Sequence, residues 1–225
     1  MIVEKYKYDE LKRTTTDKQR LYTCPDGKAV PSVTTILDKT KPEKNRKALE
    51  NWRKAVGEQK AKAITTEAAH RGTRMHTYLE NYVLGEELKE TVSNPYAQQS
   101  LDMAKIVIKE GLKNVDEYWG TEVALYHPEI YAGTTDLVGV HSGADAILDF
   151  KQSNKVKKRE YVEDYFLQLC AYAEAHNKMY DTQIKTGRIF ICTQNNEYQT
   201  FDIDNYDHWV GQWYAKLEQY YKKIL

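Results

Sequence analysis

An α/β (α+β) fold, a central mixed sheet flanked by helices with a helical N-terminal region, is predicted by three observations. Helical patterning dominates the chain as far as residue 113. Strand-like runs then cluster at 118–126, 131–140 and 145–151. A long helical stretch over 159–180 separates these from another run at 188–193, which is enough chain for a crossover between neighbouring strands. With 225 residues, 41% of them hydrophobic, and no internal repeat or Gly/Ser-rich linker, one domain over 1–225 is expected. Its parts are a mostly helical 1–114 and a sheet-bearing 115–225.

The elements follow in order. RLYTCPDGKAV, residues 20–30, reads as two extended pieces around a Pro-Asp-Gly turn. A short helix begins after Pro31, over 32–38. Residues 43–63 are helical in composition but carry few apolar residues, so this helix bridges or touches something outside the core. Thr65 and Thr66 are expected to cap a stronger helix with Met75, Leu79 and Tyr82 or Val83 on one stripe. Another helix is expected over 95–113. A strand at 197–203 and the amphipathic YDHWVGQWYAKLEQYYKKI close the chain.

Composition narrows the function classes. No run approaches the roughly 20 apolar residues of a membrane span, and MIVEKYKYDE lacks the apolar stretch of a signal peptide, so no membrane partner and a cytoplasmic location are expected. Cys24, Cys170 and Cys192 lie far apart with no zinc spacing, and three thiolates cannot ligate a four-cysteine iron-sulfur cluster. The 33 basic and 33 acidic residues cancel, so distribution matters more than net charge.

YAGTTDLVGVHSGADAILDFKQSNK, residues 131–155, carries the chemistry. A hairpin around HSGA makes partner positions sum to 285, which sets Asp136 opposite Asp149 with Cβ atoms about 4.5–5.5 Å apart. Alternation puts Lys151 on the face of Asp149 while Leu148 and Phe150 point into the core. Two carboxylates and an ammonium would then converge on one edge of the sheet. Like charges so placed repel, and a divalent cation would offset the repulsion; oxygen ligands suit Mg2+ or Mn2+. Such an ion activates water and stabilises charge on a phosphoryl oxygen, which points to phosphodiester hydrolysis.

Other words in the sequence converge on this one. Gly72 stands four residues before His76, an imidazole on a helix; Gly133 stands three before Asp136; Gln168 and Tyr172 lie one turn apart. The ordered set G-x-x-x-H, G-x-x-D, D-x-K, Q-x-x-x-Y resembles the PD-(D/E)xK nuclease superfamily, in its RecB-like branch. PSVTTIL, RGTRMH, YAGTTDLV, ILDFK and QWYAKLEQYYKK extend the likeness to mitochondrial and phage-encoded exonucleases, from about residue 22 to 223. The resemblance implies a restriction-endonuclease-like core and a Mg2+- or Mn2+-dependent deoxyribonuclease without an iron-sulfur cluster. It implies His76, Asp136 and Asp149 as metal ligands, with the Phe150 carbonyl as a fourth and Lys151 as the catalytic lysine. Gln168 and Tyr172 would position DNA, and Glu122 matches a catalytic acidic position on the preceding strand.

Basic groups next to the presumed metal supply affinity for phosphates without sequence readout. Lys155, Lys157 and Lys158 follow the DFK strand, and Arg71 and Arg74 flank Gly72. The expected partner is DNA, single-stranded by preference, with a recombination or single-strand-binding protein as a further candidate. A ring-forming duplex exonuclease and a non-catalytic DNA-binding module are the alternatives.

Overall fold

The computed structural model describes residues 1–16 and 19–223. Its elements, in chain order, are β1 (Lys12–Thr15), β2 (Arg20–Thr23), β3 (Ala29–Pro31), α1 (Val33–Lys39), α2 (Glu43–Val56), α3 (Glu58–Val83), α4 (Pro95–Glu110), β4 (Val115–His127), β5 (Tyr131–His141), β6 (Ala144–Ser153), α5 (Glu163–Tyr180), β7 (Thr186–Thr193), β8 (Tyr198–Asp202) and α6 (Tyr206–Lys222). The expected mixed sheet is present, with strand order β4-β5-β6-β7-β8. β4, β5 and β6 form an antiparallel meander, β6 and β7 pair in parallel across the α5 crossover, and β7 and β8 close as a hairpin.

Each face of this sheet is covered. Leu148, Phe150 and Phe190 pack with Met75, Leu79 and Val83 of α3 and with Met103 and Val107 of α4. On the opposite face Ile147, Ile189 and Ile191 pack with Phe166 and Leu169 of α5 and Trp213 of α6. Burial on two sides is why β5 and β6 read as near-continuous apolar runs rather than as alternating ones. A charged side chain placed in such a strand must find its partners inside the protein. The β5–β6 turn is Ser142-Gly143, both with positive φ (52° and 78°), as a two-residue hairpin requires.

Two expectations for the N-terminal part are corrected. Thr65 and Thr66 cap nothing: α3 runs unbroken from Glu58, and the Thr65 hydroxyl donates back to the carbonyls of Ala61 and Lys62. The helix break comes instead at Gly57, whose φ of 83° suits a residue without Cβ. The region is also less helical than expected: the two extended pieces foreseen around the Pro-Asp-Gly turn are β2 and β3, and β1 joins them in a separate antiparallel sheet. β1 escaped the sequence reading because all four of its residues, KRTT, are exposed and leave no hydrophobic signal. As its polarity predicts, α2 has no buried residue. Ser32 caps α1 by accepting from the Thr35 N–H at 3.0 Å.

Candidate active site

The five-stranded sheet is forked. β5 and β6 pair from His141↔Ala144 to Leu137↔Leu148, the register expected from sequence. Past that point β5 remains paired with β4 as far as Tyr131↔His127, while β6 remains paired with β7 as far as Ser153↔Thr193. Asp136 and Asp149 are the first residues beyond the split. The site therefore opens between two interior strands, and the expectation of a site on one edge of the sheet is corrected.

A third carboxylate joins them. The pairs Thr121↔Leu137 and Val123↔Thr135 bracket Glu122 opposite Asp136. Glu122, Asp136 and Asp149 thus form a row across β4, β5 and β6. Glu122 has a φ of 50°, an uncommon value for a residue with a Cβ and one tolerated where surrounding structure enforces it. The Thr121 hydroxyl donates to the Asp136 carbonyl at 2.9 Å and ties the two strands beside this kink.

α3 delivers the imidazole. With Met75, Leu79 and Val83 fully buried, His76 is turned to the rim of the fork, its Nδ1 3.3 Å from Asp136 Oδ1. The motif glycines have steric reasons. A Cβ on Gly72 would lie 3.2 Å from Gln152 Cγ, and one on Gly133 would lie 2.6 Å from the Tyr172 ring. Tyr172 is buried in the space Gly133 leaves, and its hydroxyl accepts from Gln168 Nε2 at 3.1 Å. His76, Glu122, Asp136, Asp149 and Lys151 line one cavity of about 550 Å³, together with Gln168 and Tyr172.

The electrostatics of this cavity are frustrated. Burial works against ionisation of Asp136, but His76, Lys151 and the Phe150 N–H, which donates to Asp136 Oδ2 at 2.6 Å, outweigh it and hold its carboxyl below the usual range. Burial pushes Asp149 up to about 7, Asp136 adding to the rise and Lys151 opposing it. Glu122 is likewise pushed up to about 7 by burial and by Asp136. Burial disfavours charge on His76 and Lys151 too, yet Asp136 raises the one and Asp149 the other. Lys151 is ion-paired with Asp149 and lies 5.3 Å from the Tyr165 ring centroid. Each aspartate thus has a basic partner from the chain itself, Lys151 for Asp149 and His76 for Asp136.

The donor set still fits a divalent cation. One ligand atom each from His76, Glu122 and Asp136 lies within 4.8 Å of the others. Two carboxylates and an imidazole are hard oxygen and nitrogen donors, and the raised carboxyls of Glu122 and Asp149 mark negative charge that the site's own cations leave under-compensated. Glu122 enters this cluster in the place expected for Asp149, whose carboxylate turns to Lys151. The contact that Phe150 makes in the site is its N–H to Asp136, where the family resemblance implied its carbonyl.

Of the basic residues singled out in the sequence, none lines the cavity except Lys151. Arg71 is 3% exposed, its guanidinium donating to Gln152 and Asn154, so it clamps α3 to β6 and faces no substrate; that expectation is corrected. Arg74 is engaged by Ser100 and Glu67. Lys155 and Lys158 are exposed on the loop after β6, and Gln199 holds the backbone of Lys157 there. The cavity's other wall carries Arg13 and Arg20, which sequence reasoning missed because they sit on the small sheet rather than in a recognisable motif.

No family model matches the chain. It is 29% identical over 211 residues to a protein of Xenopus tropicalis named mitochondrial genome maintenance exonuclease 1, covering 86% of this chain and 58% of that one. The human protein of that name is 27% identical over 208 residues, with 86% and 59% covered. The chain thus spans about three-fifths of the length of these relatives. Among solved structures, a candidate exonuclease from Eubacterium rectale superposes with a TM-score of 0.50 at 14% identity, covering 68% of this chain and 66% of that one, a likeness of fold. In sequence and architecture the chain resembles the PD-(D/E)xK exonucleases.

Proposed function

We propose that this protein is a metal-dependent DNA exonuclease that hydrolyses phosphodiester bonds at the fork between β5 and β6, with Mg2+ or Mn2+ held by His76, Glu122 and Asp136. The observation that carries this reading is the meeting of three carboxylates, an imidazole and a lysine in one cavity from four separate elements. When bound, the ion would polarise a phosphoryl oxygen and lower the pKa of a water.

The chain's own residues divide the remaining work. His76 and Glu122 flank Asp136 and fix where positive charge can sit. Asp149, pushed up to about 7, is poised to accept a proton from an attacking water near neutral pH. Lys151, held protonated by Asp149, presents an ammonium at the phosphate and stabilises the charge that grows on its non-bridging oxygens. Tyr172 and Gln168 close the floor of the cavity and set its depth.

A preference for a free single-stranded end is supported by α2. It is a fourteen-residue helix with none of its side chains buried, joined to α3 through the turn at Gly57. A helix polar nearly all round is free to meet a strand outside the core, although no residue of α2 lines the cavity itself.

The test is digestion of end-labelled linear and circular single strands and linear duplex with Mg2+, Mn2+ or EDTA. Linear single strands should be shortened from an end with either metal, circles should survive, and EDTA should stop the reaction. Hydrolysis that persists in EDTA would sink the metal-dependent reading, and rapid cutting of circles would sink the exonuclease reading.

A further inference from the structure

The catalytic cavity has a second wall, built from the small sheet. Antiparallel pairing sets Arg13 opposite Tyr22 and Thr15 opposite Arg20, so Arg13, Arg20 and Tyr22 share one face of the β1–β2 hairpin. That face looks into the cavity: all three residues line it across from Asp136, Asp149 and Lys151. Tyr22, 3% exposed, fixes the orientation, its hydroxyl 3.1 Å from Thr134 Oγ1 on β5. Thr35 fixes the strand a second time, its Oγ1 accepting from the Arg20 N–H at 2.9 Å and donating to the Arg20 carbonyl at 3.3 Å.

We infer that Arg13 and Arg20 form a phosphate clamp, gripping the strand's phosphates next to the scissile one. The inference rests on the nuclease reading above and adds the residues that hold the substrate against the site. Three observations carry it. Among the described residues, no carboxylate lies within ion-pair distance of either guanidinium, in contrast to Arg71 and Arg74, whose donors are consumed by the protein. The wall opposite is acidic through Glu122, Asp136 and Asp149, so an anionic strand needs positive charge on the side away from them. Hydroxyls line the cavity beside the two arginines, Thr34 from α1 and Thr134 from β5, and such groups donate to phosphate oxygens.

The two arginines are not equivalent. Arg20 stands on a strand paired on both sides and is half-buried; Arg13 stands on the outer strand, with every residue of β1 exposed. Arg20 is the fixed jaw and Arg13 the adaptable one. Less ordering entropy is lost at the fixed jaw on binding, so it contributes more to affinity.

The test is steady-state hydrolysis of a fluorogenic single-stranded oligodeoxynucleotide at a series of salt concentrations, by the full chain and by its Arg13→Gln, Arg20→Gln and double variants. Arg20→Gln should raise KM about tenfold, the size of one charge-assisted contact, and Arg13→Gln less, with kcat changing under twofold in both. Each substitution should flatten the dependence of log(kcat/KM) on log salt by about 0.7, the contribution of one single-strand phosphate contact. Arg20→Lys should restore the salt slope but only part of the affinity, since it keeps the charge and loses the fork. A wild-type chain that leaves the oligonucleotide intact overturns the nuclease reading and the clamp with it. A wild-type chain that cuts, beside a double variant with unchanged KM and salt slope and an unchanged circular dichroism spectrum, overturns the clamp alone.

Discussion

Two histidines on two helices of this molecule have opposite surroundings. His76, on α3, meets Asp136 at 3.3 Å and shares its cavity with Glu122 and Asp149; against the effect of burial, Asp136 and, less, Asp149 raise its affinity for a proton. His176, on α5, is wholly buried among the rings of Tyr6, Tyr180 and Trp119. Its Nδ1 is 2.8 Å from the Thr182 hydroxyl and its Nε2 3.2 Å from that of Tyr8. Burial pushes it down to about 4, with the Lys5 ammonium contributing, so it is neutral at physiological pH. Residue type and helical setting are similar, while His76 is part-exposed at the rim of its cavity and His176 is not. What separates a site from a packing contact is whether the polar neighbours satisfy the group or oversupply charge around it.

The largest effect that tests this contrast is on catalysis. Lys151→Ala should lower hydrolysis of a labelled strand by about 10²–10³-fold, the scale of removing one donor to a developing anion, while circular dichroism stays native. The fold survives because Asp149, whose carboxyl already lies near 7, can take a proton instead of remaining a buried unpaired anion. His176→Gln should do the reverse, leaving the rate within a few-fold and loosening the N-terminal segment that Tyr8 anchors. A Lys151→Ala chain that still cuts at the parent rate would erase the distinction between the two regions.

Next in size is the response to acid. His176 binds a proton more weakly folded, at about 4, than unfolded, near 6.5. A histidine with a depressed folded pKa stabilises the fold fully above the unfolded value and loses that contribution as pH falls toward the folded one. Between pH 6.5 and 4 it should therefore cost the protein roughly 2–3 kcal/mol. Urea midpoints at pH 7 and pH 4.5 measure this, and His176→Gln should flatten the difference. If the variant keeps the parent's acid sensitivity, the loss belongs to another group.

Much of this was legible in the sequence, for a physical reason. The hairpin register follows from the turn, because the two-residue step at Ser142-Gly143 fixes which residues face each other, and this places Asp136 against Asp149. Helices α4, α5 and α6 show their apolar stripes directly. What stayed hidden depended on contacts remote in sequence. That Arg71 is consumed by Gln152 and Asn154, 81 and 83 residues away, has no local signature. The fork between β5 and β6 is equally silent, since each half-strand keeps its apolar pattern by pairing with its other neighbour. β1 and its Arg13 were missed because an exposed polar strand looks like a loop. Glu122 was matched only by resemblance, and the positive φ that turns it toward His76 and Asp136 is imposed by the tertiary structure.

The smallest effect asks most directly whether the site is frustrated. The Glu122 carboxyl, pushed up to about 7 by burial and Asp136, binds its proton more tightly folded than unfolded. Its contribution to stability is therefore complete below about 4.5 and is lost as pH rises through 7, the opposite sense to His176. At pH 8 in EDTA, Glu122→Gln should raise stability by about 0.5 kcal/mol, a modest figure because the carboxyl is crowded by the cavity yet the residue as a whole reaches solvent, and water screens its charge; at pH 4.5 the two chains should melt alike. Adding Mn2+ should reverse the order, since the parent gains an ion that the amide holds more weakly. Melting curves with and without Mn2+ at the two pH values decide it. A parent more stable than Glu122→Gln in EDTA at pH 8 would mean that the carboxylates are already satisfied by the protein, and that the fork resembles the pocket of His176 after all.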